Sequence, residues 1–123
     1  MNAQKYESLE QLRDALRAFT ADRDWDQFHS PKNLAIALAV EASELLEHFQ
    51  WLTEDASRQL PAEKLKEVRE ELADVLNYLV RLSDKLGIDL LAAAQQKIEI
   101  NAKKYPADKV RGSSQKYTEW SSE

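Results

Sequence analysis

Leu34-Ala-Ile-Ala-Leu-Ala-Val40-Glu41-Ala-Ser-Glu44-Leu-Leu46 decides how this chain folds. Ser30-Pro31 just upstream supplies a helix N-cap and a first helical residue with φ already set. The spacing therefore predicts a helix from Pro31 to about Leu52. Its first half is apolar on every side, whereas a helix lying on a protein surface shows one apolar stripe. Such a helix must be covered on several faces. A chain of 123 residues achieves that most simply as a homo-oligomer with this helix central.

Working outward, three more helices follow from periodicity. Leu9, Leu12, Leu16 and Phe19 give one face to a helix from about Ser8 to Arg23, with Gln11 at capping-box distance from Ser8. Thr53 to Leu60 has the polar composition of a linker. Leu65, Val68, Leu72, Leu76, Leu79, Leu82 and Leu86 recur at helical steps between Pro61 and Gly87, a glycine placed as a helix stop. Asp89 caps a fourth helix that runs to Tyr105, where Pro106 ends it. The organisation expected is a helical domain over residues 1–106 and an extended or mobile tail over 107–123. The fold class is all-α, a four-helix bundle completed by oligomerisation.

Composition narrows the functions. Only 2 Gly and 3 Pro argue against a sheet fold with many tight turns. The lack of Cys excludes disulfides, thiolate zinc sites and a Cys nucleophile. A net charge of -5 disfavours nucleic-acid polymers and anionic membranes as partners. Met1 to Leu12 lacks an apolar signal core, and the run Leu34–Val40 is far shorter than a membrane span of roughly 20 residues. The expectation is a soluble, cytoplasmic protein.

Glu41 and Glu44 interrupt the apolar helix at a spacing that makes them neighbours on one face. Glu71 and Asp74 repeat that spacing on the third helix. In an antiparallel hairpin, facing residues have numbers of constant sum. Glu41 with Asp74 and Glu44 with Glu71 share one sum, centred in the expected linker. The two pairs thus fall at one height. Four carboxylates in apolar surroundings repel one another and are costly to bury. No Lys or Arg lies between Asn33 and Trp51 to neutralise them. An all-oxygen carboxylate set suits Mg²⁺ or Mn²⁺. A lone Glu-x-x-Glu is commonplace on solvated helices; the matched register distinguishes this set. Glu47, Glu67 and Glu70 have no such register and read as solvated or as outer supports. A di-iron bundle needs Glu-x-x-His on two helices, and the third helix here has no His.

Lys97, Lys103, Lys104, Lys109, Arg111 and Lys116 concentrate positive charge near the C-terminus. Lys97 and Lys104 share a helical face with Asn101 between them. Opposite a metal site they suit a polyphosphate; equally, cations are favourable at any helix C-terminus. Trp25, Phe28 and His29 precede the apolar helix and Trp51 closes it. Loop tryptophans serve as core anchors or stack on bases. Tyr78 shares the face of Asp74.

Several segments carry a resemblance. Arg23-Asp-Trp-Asp-Gln-Phe-His-Ser-Pro-Lys-Asn-Leu34, Glu41-x-x-Glu44, Phe49-Gln-Trp51, Glu70-Glu71-Leu-x-Asp74-Val-Leu76 and Lys97-Ile-Glu-Ile-Asn101-Ala-Lys-Lys-Tyr105-Pro106 resemble the MazG-like nucleotide pyrophosphohydrolases, in their dCTP pyrophosphatase branch. The likeness extends through Ser113-Ser-x-Lys116-Tyr-Thr-Glu119. It implies an all-α tetramer built from dimers. It implies cleavage of a nucleoside triphosphate, dCTP or a related or modified dNTP, into monophosphate and pyrophosphate, in the service of nucleotide pool cleaning. It implies Mg²⁺ on Glu41, Glu44, Glu71 and Asp74 as the catalytic carboxylates. It implies a nucleotide pocket of Trp25, His29, Trp51, Tyr78, Asn101 and Tyr105, with Lys97 and Lys104 near the phosphates and Trp51 donated across a subunit interface. Animal members carry His at the position of Leu16, where it approaches the base. The alternative from a different class is a helical interaction module without catalysis, its apolar helix serving a partner.

Overall fold

The computed structural model describes residues 5–114 and residue 118, and among these the fold is all-α. The chain divides into two compact units, Met1–Ile88 and Asp89–Glu123. The first unit holds α1 (Leu9–Asp22), a 3₁₀ turn (Asp26–Phe28), α2 (Pro31–Glu47), a single turn α3 (Glu54–Ser57) and α4 (Ala62–Lys85). The second holds α5 (Leu90–Lys104) and the turn α6 (Ala107–Val110).

The helix starts are set by side-chain caps. Ser8, Ser30, Thr53 and Asp89 each accept a hydrogen bond from the backbone N–H three residues on. Gln11 reaches back to the N–H of Glu7 at 2.7 Å, one residue earlier than a capping box places it. At the far end of α4, Gly87 has φ 67, and the Gly87 and Ile88 amides donate to Asp84 and Ser83 carbonyls. This is a Schellman stop, and it needs glycine because φ is positive.

Two boundaries differ from the sequence expectation. Helix α2 ends at Glu47 rather than near Leu52, because the His48 and Phe49 amides tighten onto the Leu45 and Leu46 carbonyls in 3₁₀ fashion. Apolar Phe49, Trp51 and Leu52 kept the period alive in sequence, but Thr53 captures the chain for a new turn. The expected linker therefore contains α3. Residues 107–110, at the head of the segment expected to be extended, form α6; residues 115–117 and 119–123, with Lys116 and Glu119, lie outside the described residues.

Helix α4 is the spine of the first unit and packs against both α2 and α1. Leu34, Val68 and Val80 are its covered apolar side chains. Ile36, Val40 and Leu46 on α2, and Leu65, Leu72 and Leu76 on α4, are each 41–58% exposed. The all-round apolar α2 thus buries one face within the chain and leaves another uncovered. No described helix is long and apolar enough to cross a membrane.

Candidate metal centre and adjoining pocket

Helices α2 and α4 set the register that the sequence arithmetic predicts. His48 Nδ1 lies 3.7 Å from Glu67 Oε2, a pair with the same number sum as Glu44 and Glu71. Two turns along, Glu41, Glu44 and Glu71 each offer an oxygen within 4.8 Å of the others. Among the described residues none of the three has a basic partner. Glu41 Oε2 and Glu71 Oε2 are buried without a hydrogen-bond partner. An orphaned buried carboxylate oxygen is costly, and the set relieves the cost by holding a proton. Burial, then the closeness of Glu71 and Glu44 and the negative charge of Glu44 and Asp74, pushes Glu41 up from 4.5 to about 7. The donor set, all hard oxygen with two unpartnered buried atoms, fits a divalent cation.

Asp74 is exposed and stands outside the three-oxygen cluster. It acts on Glu41 through its charge and lines a neighbouring pocket of about 380 Å³. That pocket lies between α1, the 3₁₀ turn and α4, and it also gathers Trp25, His29 and Tyr78. Leu16 forms part of its wall. Trp25 meets Phe19 edge to face, with ring centroids 5.9 Å apart, and the Arg23 guanidinium covers the Phe19 ring at 3.7 Å.

The loop bearing Trp25 and His29 is pinned at several points. Asp24 takes a positive φ of 53 to make the turn, and Gln27 donates to it. Asn33 Nδ2 donates to the Phe28 carbonyl at 2.9 Å. Asp26 accepts from Arg81 at 2.9 Å and from Lys85 at 2.6 Å, bonds that hold its carboxyl below the usual carboxylate range.

Comparison with known proteins places the chain in a family. The MazG-like family model matches residues 36–120. The chain is 45% identical over 114 residues to human dCTP pyrophosphatase 1, covering 91% of this chain and 67% of that protein. The chain belongs to the MazG-like family. The mouse protein of the same name is 43% identical, with the same coverage. A crystal structure of a pyrophosphatase from Archaeoglobus fulgidus superposes with a TM-score of 0.76 at 40% identity, covering 86% of this chain and 99% of that one.

In this MazG-like chain the remaining expected site residues are Trp51 and four residues of the second unit. Trp51 sits in the turns after α2 and is 87% exposed, away from the pocket lining. Lys97, Asn101, Lys104 and Tyr105 belong to the second unit. There Lys97 and Lys104 share a face of α5, the Asn101 carbonyl accepts from the Tyr105 amide at 2.7 Å, and Lys104 Nζ lies 5.6 Å from the Tyr105 ring centroid. Glu67, expected to be solvated or an outer support, is exposed and bonds Lys64 at 3.3 Å besides its approach to His48. His48 is thus engaged away from the carboxylate cluster, which contains no imidazole.

Sequence reasoning missed several polar residues of the pocket, among them Thr20, Asn77 and Arg81. Arg81 is only 4% exposed, bonds Asp26, approaches Asp84 at 3.5 Å, and keeps a buried Nε without a partner. Its signal was present: Asp74, Tyr78 and Arg81 recur at helical steps on one face of α4.

Proposed function

We propose that this MazG-like enzyme, a nucleoside triphosphate pyrophosphatase, hydrolyses dCTP or a closely related deoxynucleoside triphosphate to the monophosphate and pyrophosphate, with Mg²⁺ or Mn²⁺. The observation that carries the reading is the set of buried, unpartnered carboxylate oxygens of Glu41 and Glu71 beside an aromatic-walled pocket. The two relatives named dCTP pyrophosphatase 1 support the substrate class.

Glu41, Glu44 and Glu71 hold the cation, with Asp74 contributing from the pocket edge. Once bound, the ion neutralises phosphate charge and lowers the pKa of bound water. Trp25 offers its ring face to the base, and Tyr78 and Leu16 shape the wall around it. For the phosphates the family resemblance supports Lys97 and Lys104, and for the nucleotide it supports Asn101, Tyr105 and a partner-donated Trp51. Water attacks the α-phosphorus in line, the bond to the β-phosphate oxygen breaks, and a carboxylate of the set accepts the proton. The uncovered leucine, isoleucine and valine side chains of α2 and α4 support a homodimer or homotetramer, since contiguous apolar surface of this kind marks an interface.

A panel of deoxy- and ribonucleoside triphosphates, scored for pyrophosphate against phosphate release, tests this. The expected result is pyrophosphate release, greatest with dCTP and abolished by chelation. Glu71→Ala and Glu44→Gln are expected to lose turnover while keeping their helix content. Undiminished activity in either variant sinks the assignment.

A further inference from the structure

Arg81 is an unexpected residue to find in the covered part of the pocket. Its side chain is 5% exposed and its charge is answered on one side by Asp26 at 2.9 Å and on another by Asp84 at 3.5 Å. The same terminal nitrogen that bonds Asp26 lies 3.3 Å from His29 Nδ1. A guanidinium nitrogen carries two N–H donors and no acceptor, and it does not deprotonate in proteins. One N–H is therefore used on Asp26 and the other is available to His29. The imidazole atom facing it must accept, so Nδ1 carries no proton.

We infer that Arg81 is a positioning residue that holds His29 as the neutral tautomer, with its Nε2–H kept as a donor for the nucleoside end of the substrate. The inference rests on the nucleotide reading of the pocket given above. Four observations bear on it. His29 and Arg81 both line the pocket, so the imidazole edge remote from Arg81 is the one left for a ligand. Aromatic Phe19 and Trp25 share the pocket, which suits a nucleoside rather than a bare phosphate. The charged groups around His29 are Arg81 and Lys85 on α4 and Asp26 on its own loop, with Asp74 on the pocket wall; Asp84, held by Arg17, faces Arg81. Asp26 takes both Arg81 and Lys85 on Oδ1, and its charge acts on His29 against theirs. Consistent with this geometry, burial and the Arg81 charge hold the imidazole below its ordinary range.

A donor fixed in this way distinguishes ligands by whether they present an acceptor at that point. A freely rotating or charged histidine would offer less definition, since both nitrogens donate when the ring is protonated.

The test uses the full chain and its two histidines. Nitrogen-detected NMR of the imidazoles, with His48→Gln to assign them, is expected to show His29 neutral at pH 7 with its proton on Nε2. A protonated His29, or a proton on Nδ1, overturns the inference without any variant of Arg81. In Arg81→Met the tautomer preference is expected to relax and the His29 titration to move upward. The same variant should weaken inhibition by deoxycytidine roughly three- to tenfold, the loss of one neutral hydrogen bond. It should leave inhibition by inorganic triphosphate unchanged, and the dCTP effect should appear in KM rather than kcat. Unaltered deoxycytidine inhibition, or weakened triphosphate inhibition alone, refutes the proposed role. Wild-type protein that turns over no nucleotide yet shows the expected tautomer refutes the nucleotide reading instead. Turnover with a charged His29 refutes only the inference.

Discussion

Glu41→Gln should make the metal-free protein less sensitive to a pH change that weakens the wild type. Folded, Glu41 titrates at about 7; its ordinary value is 4.5. A group with a raised folded value binds more protons folded than unfolded. Its contribution is therefore fully present below about pH 4.5 and is lost as pH rises through about 7. At roughly 1.4 kcal/mol per pH unit the loss is capped near 3.5 kcal/mol, and solvent reaching the half-buried cluster cuts it to about 1–2 kcal/mol. For a chain of this size that is a fall of roughly 3–8 °C in Tm. The assay is thermal unfolding followed by circular dichroism at pH 5 and pH 8.5, with chelator and then with Mg²⁺. Wild type should lose stability between the two pH values in chelator and recover it with Mg²⁺ at pH 8.5. Glu41→Gln should show a shallower slope and a smaller response to Mg²⁺, because its amide holds no charge to relieve. Equal slopes in the two proteins would refute the claim that burial of Glu41, with Glu71 and Glu44 crowding it, raises its pKa.

Other perturbations separate the supports of the fold from the site. Asp84→Asn should cost about 1–3 kcal/mol in urea unfolding, since it strips a carboxylate that is 12% exposed from the Arg17 guanidinium that holds its pKa down. Because that pKa is depressed, the wild-type advantage should be present at neutral pH and vanish as pH falls below the ordinary carboxylate range. Gly87→Ala should cost about 1–2 kcal/mol purely from the φ of 67, because a Cβ there meets nothing within 4 Å. A neutral result in thermal unfolding would mean that the turn relaxes away from its positive φ.

The parts of this molecule that repeat were the parts that could be read. Helix periods, the Ser8, Ser30 and Asp89 caps and the Gly87 stop are local events, fixed within a turn or two, whereas the Thr53 cap escaped because its single turn is too short to show a period. The facing of Glu44 and Glu71 was also legible, because a hairpin of two helices leaves few registers. The place of Asp74 outside the three-oxygen cluster was not, because residue numbers carry height along a helix and not where each side chain ends. Arg81 was hidden for a different reason. A charged residue in a helix reads as a solvated one until the loop that covers it is placed, and that loop arrives from more than fifty residues away. The early end of α2 escaped because apolar Phe49 and Leu52 continue its period after the backbone has left it.

The narrowness of the covered apolar core, Leu34, Val68 and Val80, reaches beyond architecture. Where intrinsic margin is small, anything bound only by the folded form weighs heavily in the balance: a ligand at a hundred times its Kd adds about 2.7 kcal/mol. Substrate would then act as a guardian of the chain that consumes it. Limited proteolysis is expected to be slower with dCTP present than without it, so the persistence of the chain would depend on its own substrate.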